Sequence, residues 1–230
     1  MADFSVVSSV WGVLLTIAFF ALGIWLNRKT GQALCNPLLL ATVFVILFLS
    51  LLRIPYSDYK ASSSLINYLL LPATVSLAIP LYEKWDLLQK NAAAILGGIL
   101  AGTLTSIGSI LLTAFVFRLD RVYAVTLLPK SVTTAIGMDV ATELGGISAL
   151  ASAVIILTGI VGNLFAEVIL KMFRITYPKS KGIAIGTGSH AIGTAKAMQL
   201  GEVEGAMSGL AIAVAGILTA VLAPMAANFL

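Results

Sequence analysis

The sequence predicts an all-α polytopic membrane protein with six full transmembrane helices plus two re-entrant or broken-helix hairpins, arranged as a probable inverted repeat. Of its 230 residues, 59% are hydrophobic and 10% are charged, whereas soluble domains have about 45–50% and about 25%. The apolar residues form blocks of membrane-spanning length, and two glycine-rich polar segments interrupt them. This composition excludes a water-soluble fold.

The apolar blocks each match or approach the roughly 20 residues that cross a hydrocarbon core as helix. Backbone amides have no water partners in lipid, and long apolar runs without alternation favour helices over a barrel. The first block follows Met1-Ala2-Asp3 without a basic leader, so we expect it to remain as the first helix. The blocks are 4–26, 34–52, 65–82, 92–117, 147–173 and 205–229.

The loop lysines and arginines predict the orientation. We assume that each block crosses once and that stretches 122–146 and 174–204 return to their starting side. The more basic side is then cytoplasmic, and both termini lie outside. Because these basic residues report topology, the net charge of +4 does not indicate nucleic-acid binding. If one stretch spans fully, the C-terminus changes sides. The cytoplasmic group is Arg28, Lys29, Lys84, Lys90, Lys171, Arg174, Lys179 and Lys181; the other is Arg53, Lys60, Arg118 and Arg121.

The first interruption contains a proline. Because Pro129 cannot donate a helical hydrogen bond, we expect the helix to break there and a new helix to start after it. Pro129 and Gly137 are therefore predicted structural positions. The segment reads Leu127-Leu128-Pro129-Lys130-Ser131-Val132-Thr133-Thr134-Ala135-Ile136-Gly137-Met138-Asp139.

The second interruption is rich in glycine instead. Gly186-Thr187-Gly188 predicts a non-helical tip, and Ser189 suits the start of a new helix. Gly186 and Gly193 are the predicted structural positions. The segment reads Gly182-Ile183-Ala184-Ile185-Gly186-Thr187-Gly188-Ser189-His190-Ala191-Ile192-Gly193-Thr194-Ala195-Lys196.

The two interruptions resemble each other. Thr133-Thr134-Ala135-Ile136-Gly137 matches Ser189-His190-Ala191-Ile192-Gly193 at an offset of 56, and a long apolar helix follows each. A hairpin plus one crossing gives an odd number of crossings, so the second copy would be inverted, as in many secondary transporters. The single membrane domain, 1–230, then divides into N-terminal helices 1–121, repeat A 122–175 and repeat B 176–230.

The two interruptions are predicted to form a binding site for an anion. A helix that starts inside the membrane carries unpaired amides and partial positive charge, which attract a carboxylate or phosphate. Two such tips near the midplane would clasp a small anion, with Lys130 facing its carboxylate, and Asp139 and Glu143 could couple protons or ions. The predicted substrate-binding residues are Lys130, Ser131, Thr133, Thr134, Thr187, Gly188, Ser189 and His190.

Less specific interpretations compete with these roles. Lys130 could extend to the headgroups from a loop end, and His190 could be a packing residue. Asp139 and Glu143 could be solvated helix ends. The deeper Asn163 is predicted to pack helices together.

Two further patterns have mainly structural interpretations. Glu167 lies one turn from Lys171, which predicts an intrahelical ion pair. The Gly98-x-x-x-Gly102 spacing permits close helix contact and could serve either the fold or a homo-oligomer, which we expect. With Cys35 as the only cysteine and His190 as the only histidine, the sequence predicts no metal site, no cofactor and no enzymatic activity.

Three stretches resemble the LrgB/CidB/YohK group of bacterial membrane proteins, related to the plastid glycolate/glycerate translocator. The stretches are Leu128-Pro129-Lys130-Ser131-Val132-Thr133-Thr134, Gly162-Asn163, and Gly186-Thr187-Gly188-Ser189-His190-Ala191-Ile192-Gly193-Thr194-Ala195. The resemblance implies a multi-pass protein of the bacterial inner (plasma) membrane, paired with a smaller LrgA/CidA-like subunit. It also implies either holin- or antiholin-like control of murein hydrolase activity and lysis, or transport of pyruvate or other small monocarboxylates.

Three functional hypotheses follow. The first is a carrier for a small anionic monocarboxylate, which the half-helix tips favour because a holin needs no anion-sized site. The second is a holin- or antiholin-like regulator without a specific substrate. The third is a scaffold that only stabilises its partner subunit.

Overall fold

The computed structural model describes residues 10–30, 37–76, 79, 82, 86 and 89–230, except for five side chains between 67 and 74. Within these residues all regular secondary structure is α-helical, which confirms the all-α part of the predicted fold class. The helices are α1 Trp11–Thr30, α2 Pro37–Leu51, α3 Tyr56–Ser62, α4 Ser64–Ser76, α5 Ala92–Phe117, α6 Arg121–Leu127, α7 Thr134–Glu143, α8 Ser148–Met172, α9 Pro178–Leu200 and α10 Glu202–Ala227.

Four of the described helices are long and apolar enough to cross a membrane, namely α1, α5, α8 and α10. Helix α2 is equally apolar but has only 15 residues. The predicted block 65–82 lies partly outside the described residues, and α4, which falls within it, contains Pro72. The six full crossings therefore stay a prediction beyond these four helices.

The chain forms two compact units, Met1–Ser76 and Leu77–Leu230. In the first unit α1 packs against α2 and α3. The hydroxyl of Thr16 lies 2.7 Å from the hydroxyl of Tyr59, and the ring of Phe19 lies 5.8 Å from two phenylalanine rings of α2. Aromatic contacts and one hydroxyl pair thus hold these helices together.

In the second unit α10 is the central helix. It packs against α5, α7 and α9, and its buried face consists largely of small residues that let neighbouring backbones approach closely. One core cluster joins α10 to α5, α6 and α7, and another joins α10 to α5 alone. The helices that carry both interruptions are therefore assembled around α10.

The first interruption matches the prediction. Helix α6 ends at Leu127, the backbone is extended at Thr133, and α7 begins at Thr134. Pro129 and Val132 are buried in the turn between these helices. The break after a proline is therefore confirmed, and the turn lies inside the protein.

The second interruption lies later than predicted. Helix α9 continues through Gly186, Thr187 and Gly188, and its backbone leaves helical geometry only at His190, with φ 42° and ψ −142°. The predicted non-helical tip at 186–188 is therefore wrong. Glycine permits a break but does not require one, and here Gly186 serves close packing, because a Cβ there would collide with the backbone of Ser208 on α10.

The segments after the two breaks have matching lengths. Helix α7 has 10 residues and precedes the 25-residue α8, while residues 191–200 precede the 26-residue α10. Their contacts are reciprocal, since Gly159 of α8 packs against Ile192 and Gly216 of α10 packs against Ile136. Two units related by a two-fold rotation show such reciprocity. This supports a repeat, and its inversion stays a prediction.

Candidate functional site

A cavity of about 590 Å³ lies in the second unit, between α5, the first interruption and α9. Its volume is within the range of small-molecule sites, roughly 300–1,000 Å³. The lining includes small residues, hydroxyls and one lysine. The lining residues discussed below are Gly98, Gly102, Ser106, Lys130, Ser131, Thr187 and Gly188. We call this the Lys130 cavity.

Lys130 is the only charged residue in the lining of the Lys130 cavity, as far as the structure describes the chain. Its ammonium donates to the hydroxyl of Ser106 at 3.2 Å and to that of Ser131 at 3.1 Å. The two hydroxyls also bond each other at 2.9 Å. No carboxylate within the described residues pairs with Lys130. Since an ammonium has three donor hydrogens, one remains for a ligand.

The depth of Lys130 helps to decide between the two interpretations of its role. Ser106 lies near the middle of α5, which has 26 residues. At the rise of an α-helix it is about 21 Å from the start and about 17 Å from the end of α5. The bonded ammonium therefore lies at the mid-level of a membrane-length helix, which disfavours a lysine that extends to the headgroups.

Thr187 and Gly188 contribute the α9 part of the cavity lining. The side chain of Thr187 is 5% exposed, and its hydroxyl has no hydrogen-bond partner among the described residues. An unpaired buried hydroxyl costs about 1–3 kcal/mol. The hydroxyl oxygen has less than 1 Å² of accessible surface, so a ligand could accept its hydrogen bond only after a local shift of this side chain.

Gly98 and Gly102 bring α5 and α9 together at the cavity. A Cβ on Gly102 would lie 2.7 Å from Cγ2 of Thr187, and one on Gly98 would lie 3.7 Å from Ile183. The Gly98-x-x-x-Gly102 spacing thus serves a contact within the unit. Of its two predicted uses, the structure favours the fold.

Four of the predicted substrate-binding residues are outside the lining of the Lys130 cavity. Thr133 and Thr134 lie at the start of α7. His190 is turned towards α8, where its Nε2 lies 2.9 Å from the carbonyl oxygen of Ile155. Ser189 also packs on α8, at Gly162. The cavity therefore joins a turn to a helix face and does not join two helix ends.

The predicted coupling and packing residues lie elsewhere. Asp139 and Glu143 are exposed on α7 and do not line the Lys130 cavity. Asn163 donates from Nδ2 to the carbonyl oxygen of Ile192 at 2.8 Å and so links α8 to α9. Of the predicted structural glycines, a Cβ on Gly137 would collide with the side chain of Ile155.

Glu167 has a different main partner from the predicted one. Its carboxylate lies 2.6 Å from the ammonium of Lys196 on α9 and 3.9 Å from that of Lys171. The stronger ion pair therefore joins two helices. The sequence could not predict it, because α8 and α9 only become neighbours in the folded chain.

The profile of the LrgB-like family matches residues 16–229. The chain belongs to the LrgB-like family. It is 36% identical to "Antiholin-like protein LrgB" of Bacillus subtilis (strain 168) over 222 residues, which is 96% of each chain. It is 33% identical over 227 residues to the proteins of that name from Bacillus mycoides (strain KBAB4) and Bacillus cereus (strain B4264), covering 98% of this chain and 99% of theirs.

The family assignment confirms the resemblance in the sequence motifs. Together with four apolar helices of spanning length, it supports a membrane protein. No solved structure matches the LrgB-like chain significantly.

The α5 side of the site was not predicted from the sequence. The polar and small residues of α5 that line the Lys130 cavity recur at helical spacing within an apolar helix, a pattern that marks one face. That stripe was the available signal, and Ser106 is its most important member because it bonds Lys130. The stripe consists of Gly98, Gly102, Thr105, Ser106 and Ser109.

Proposed function

We propose that this LrgB-like protein transports small monocarboxylates of the pyruvate, glycolate and glycerate class across the bacterial inner membrane, together with an LrgA/CidA-like subunit. The observation that carries the proposal is the ammonium of Lys130. It lines a cavity at mid-helix depth without a carboxylate partner among the described residues. A half-buried cation at this depth of a membrane protein is costly unless an anion or water accompanies it.

The charge of the Lys130 cavity favours a monovalent substrate. A single cation balances a single carboxylate, whereas a dicarboxylate would leave an uncompensated negative charge away from water. The hydroxyls of Ser106, Ser131 and Thr187 could bond the keto or hydroxyl oxygen of such a substrate. Asp139 and Glu143, exposed on α7, are the candidates for proton or ion coupling.

Uptake into proteoliposomes tests the proposal. Labelled pyruvate or glycolate should enter saturably, with the smaller subunit present or absent as separate arms. Lys130→Ala should abolish uptake, and Lys130→Arg should retain part of it because the charge persists. Lys60→Ala, which removes an exposed lysine, is the matched control. Full uptake by the Lys130→Ala chain would overturn the assignment.

A second candidate function is a holin- or antiholin-like regulator of murein hydrolase activity and lysis without a specific substrate. The names of the relatives favour it, since each is called antiholin-like. It predicts no saturable uptake and leakage of dyes of folded-protein size from vesicles. Saturable uptake that depends on Lys130, without such leakage, would exclude this candidate.

A further inference from the structure

A second cavity, of about 620 Å³, lies where α8 ends and α9 begins. Three basic side chains line it, and each comes from a different segment. Lys171 belongs to the last turn of α8, Arg174 to the connecting turn, and Lys181 to the first turns of α9. We call this the basic cavity.

The basic cavity keeps most of its positive charge. Glu167 also lines it, but its carboxylate lies 2.6 Å from the ammonium of Lys196. Lys171 lies 3.9 Å from the same carboxylate and is largely exposed, so it is only weakly paired. The three cations therefore converge on one cavity without full compensation, and we propose that it binds the phosphate of an anionic phospholipid headgroup.

The surroundings of the basic cavity favour a lipid over a soluble phosphate. The cavity lies at the end of a helix of spanning length, and Phe173 and Tyr177 are exposed in the same connection. Exposed aromatic rings at helix ends are typical of the membrane–water interface. Leu170, Ile175 and Leu200 also line the cavity and offer apolar surface to the glycerol and upper acyl chain.

The predicted orientation is consistent with this ligand. The connection between α8 and α9 is predicted to lie on the side that carries more lysines and arginines, which the positive-inside rule makes cytoplasmic. The cytoplasmic leaflet carries anionic lipids, and each basic residue near its surface adds to their attraction. Basic residues that only set the topology need not converge on one cavity, whereas these three do.

Lipid retention by the full-length protein tests the proposal. The purified chain is incubated with equal amounts of phosphatidylglycerol and phosphatidylcholine, and the bound lipids are counted by native mass spectrometry. We expect preferential retention of phosphatidylglycerol. In the K171Q/R174Q/K181Q variant the ratio of bound phosphatidylglycerol to bound phosphatidylcholine should fall at least about tenfold, because each basic residue contributes to the attraction of anionic lipid.

Two further variants keep the test decisive. R28Q/K29Q/K90Q removes three exposed basic residues from the same predicted side and should retain the preference. The charge-conserving K171R/R174K/K181R variant should also retain it, which separates loss of charge from loss of folding.

Three outcomes would overturn the proposal. The first is an equal loss of preference in the R28Q/K29Q/K90Q control, which would indicate general surface attraction. The second is an unchanged preference in K171Q/R174Q/K181Q. The third is displacement of phosphatidylglycerol by millimolar inorganic phosphate, which would assign the cavity to a soluble anion.

Discussion

The second unit is interrupted twice, and the two interruptions are built differently. The first is a turn over residues 128–133 between α6 and α7, and it places Lys130 and Ser131 in the Lys130 cavity. The second is a single residue, His190, within α9. There the continuous helix before the break, and not the break itself, presents Thr187 and Gly188 to the cavity.

The difference shows how proline and glycine act at these positions. Pro129 has no amide hydrogen to donate, which disfavours a continuous helix through it. Helices α4 and α10 nevertheless continue through Pro72 and Pro224, whereas the chain does leave helical structure around Pro129. Glycine only permits a break, and Gly186 is used to bring α9 against the backbone of Ser208. The backbone of His190 has a positive φ, which costs about 1–3 kcal/mol. The side chain of the same residue forms a hydrogen bond with the carbonyl oxygen of Ile155.

The largest expected effect tests the packing role of Gly186. Gly186→Val should destabilise the protein by roughly 3 kcal/mol or prevent folding, because the new side chain would overlap the backbone of Ser208. Thermal unfolding of the purified protein measures this. Gly188→Ala is the control on the same helix, because nothing lies within 4 Å of a Cβ at that position, and it should unfold near the wild-type temperature. Equal stability of the two variants would contradict the role of Gly186.

Two threonines on either side of His190 provide the next comparison. The hydroxyl of Thr194 lies 2.7 Å from that of Ser208 and donates to the carbonyl of His190 at 3.0 Å. Ser208 is fully buried, so Thr194→Val should cost about 1–3 kcal/mol of unfolding free energy. Thr187→Val removes no protein hydrogen bond within the described residues and replaces a buried unpaired hydroxyl, so it should leave the unfolding free energy unchanged or raise it by up to about 1–3 kcal/mol.

Monocarboxylate uptake tests whether the Thr187 hydroxyl contacts the substrate. Thr187→Val should lower monocarboxylate uptake by roughly three- to tenfold, which corresponds to the loss of one hydrogen bond to the ligand. Proteoliposome assays at several substrate concentrations measure it. A destabilised Thr187→Val chain with unchanged uptake would show that this hydroxyl serves the fold.

The smallest expected effects concern the ion pairs that hold the helical segment after each interruption. Lys196 ties residues 191–200 to α8 through Glu167, whereas α7 makes no ion pair among the described residues. Lys196→Met should lower the unfolding free energy by up to about 1 kcal/mol, while Lys171→Met should change it by only a few tenths, as expected for partly exposed pairs. Chemical denaturation measures both. The reverse order would contradict the assignment of Lys196 as the main partner.

The sequence predicted those parts of the fold that depend on local chemistry. Apolar length predicted the four described spanning helices, and Pro129 predicted the first break. The position of the second break could not be predicted, because Gly186 obtains its role from contact with α10. For the same reason Ser106, which reaches Lys130 only through tertiary packing, was missed.

The most direct test of the central claim is thiol labelling inside the Lys130 cavity. Gly188→Cys in a Cys35→Ser chain places a thiol where a side chain meets no other atom. Pyruvate should slow the modification of this thiol by a small aqueous reagent when Lys130 is present. It should not slow the modification in the Lys130→Ala chain. As a control, the modification of Ser57→Cys, at an exposed position outside the lining, should be unaffected by pyruvate. Protection that persists in the Lys130→Ala chain, or no protection at all, would contradict an anion site formed by Lys130 and the α9 face.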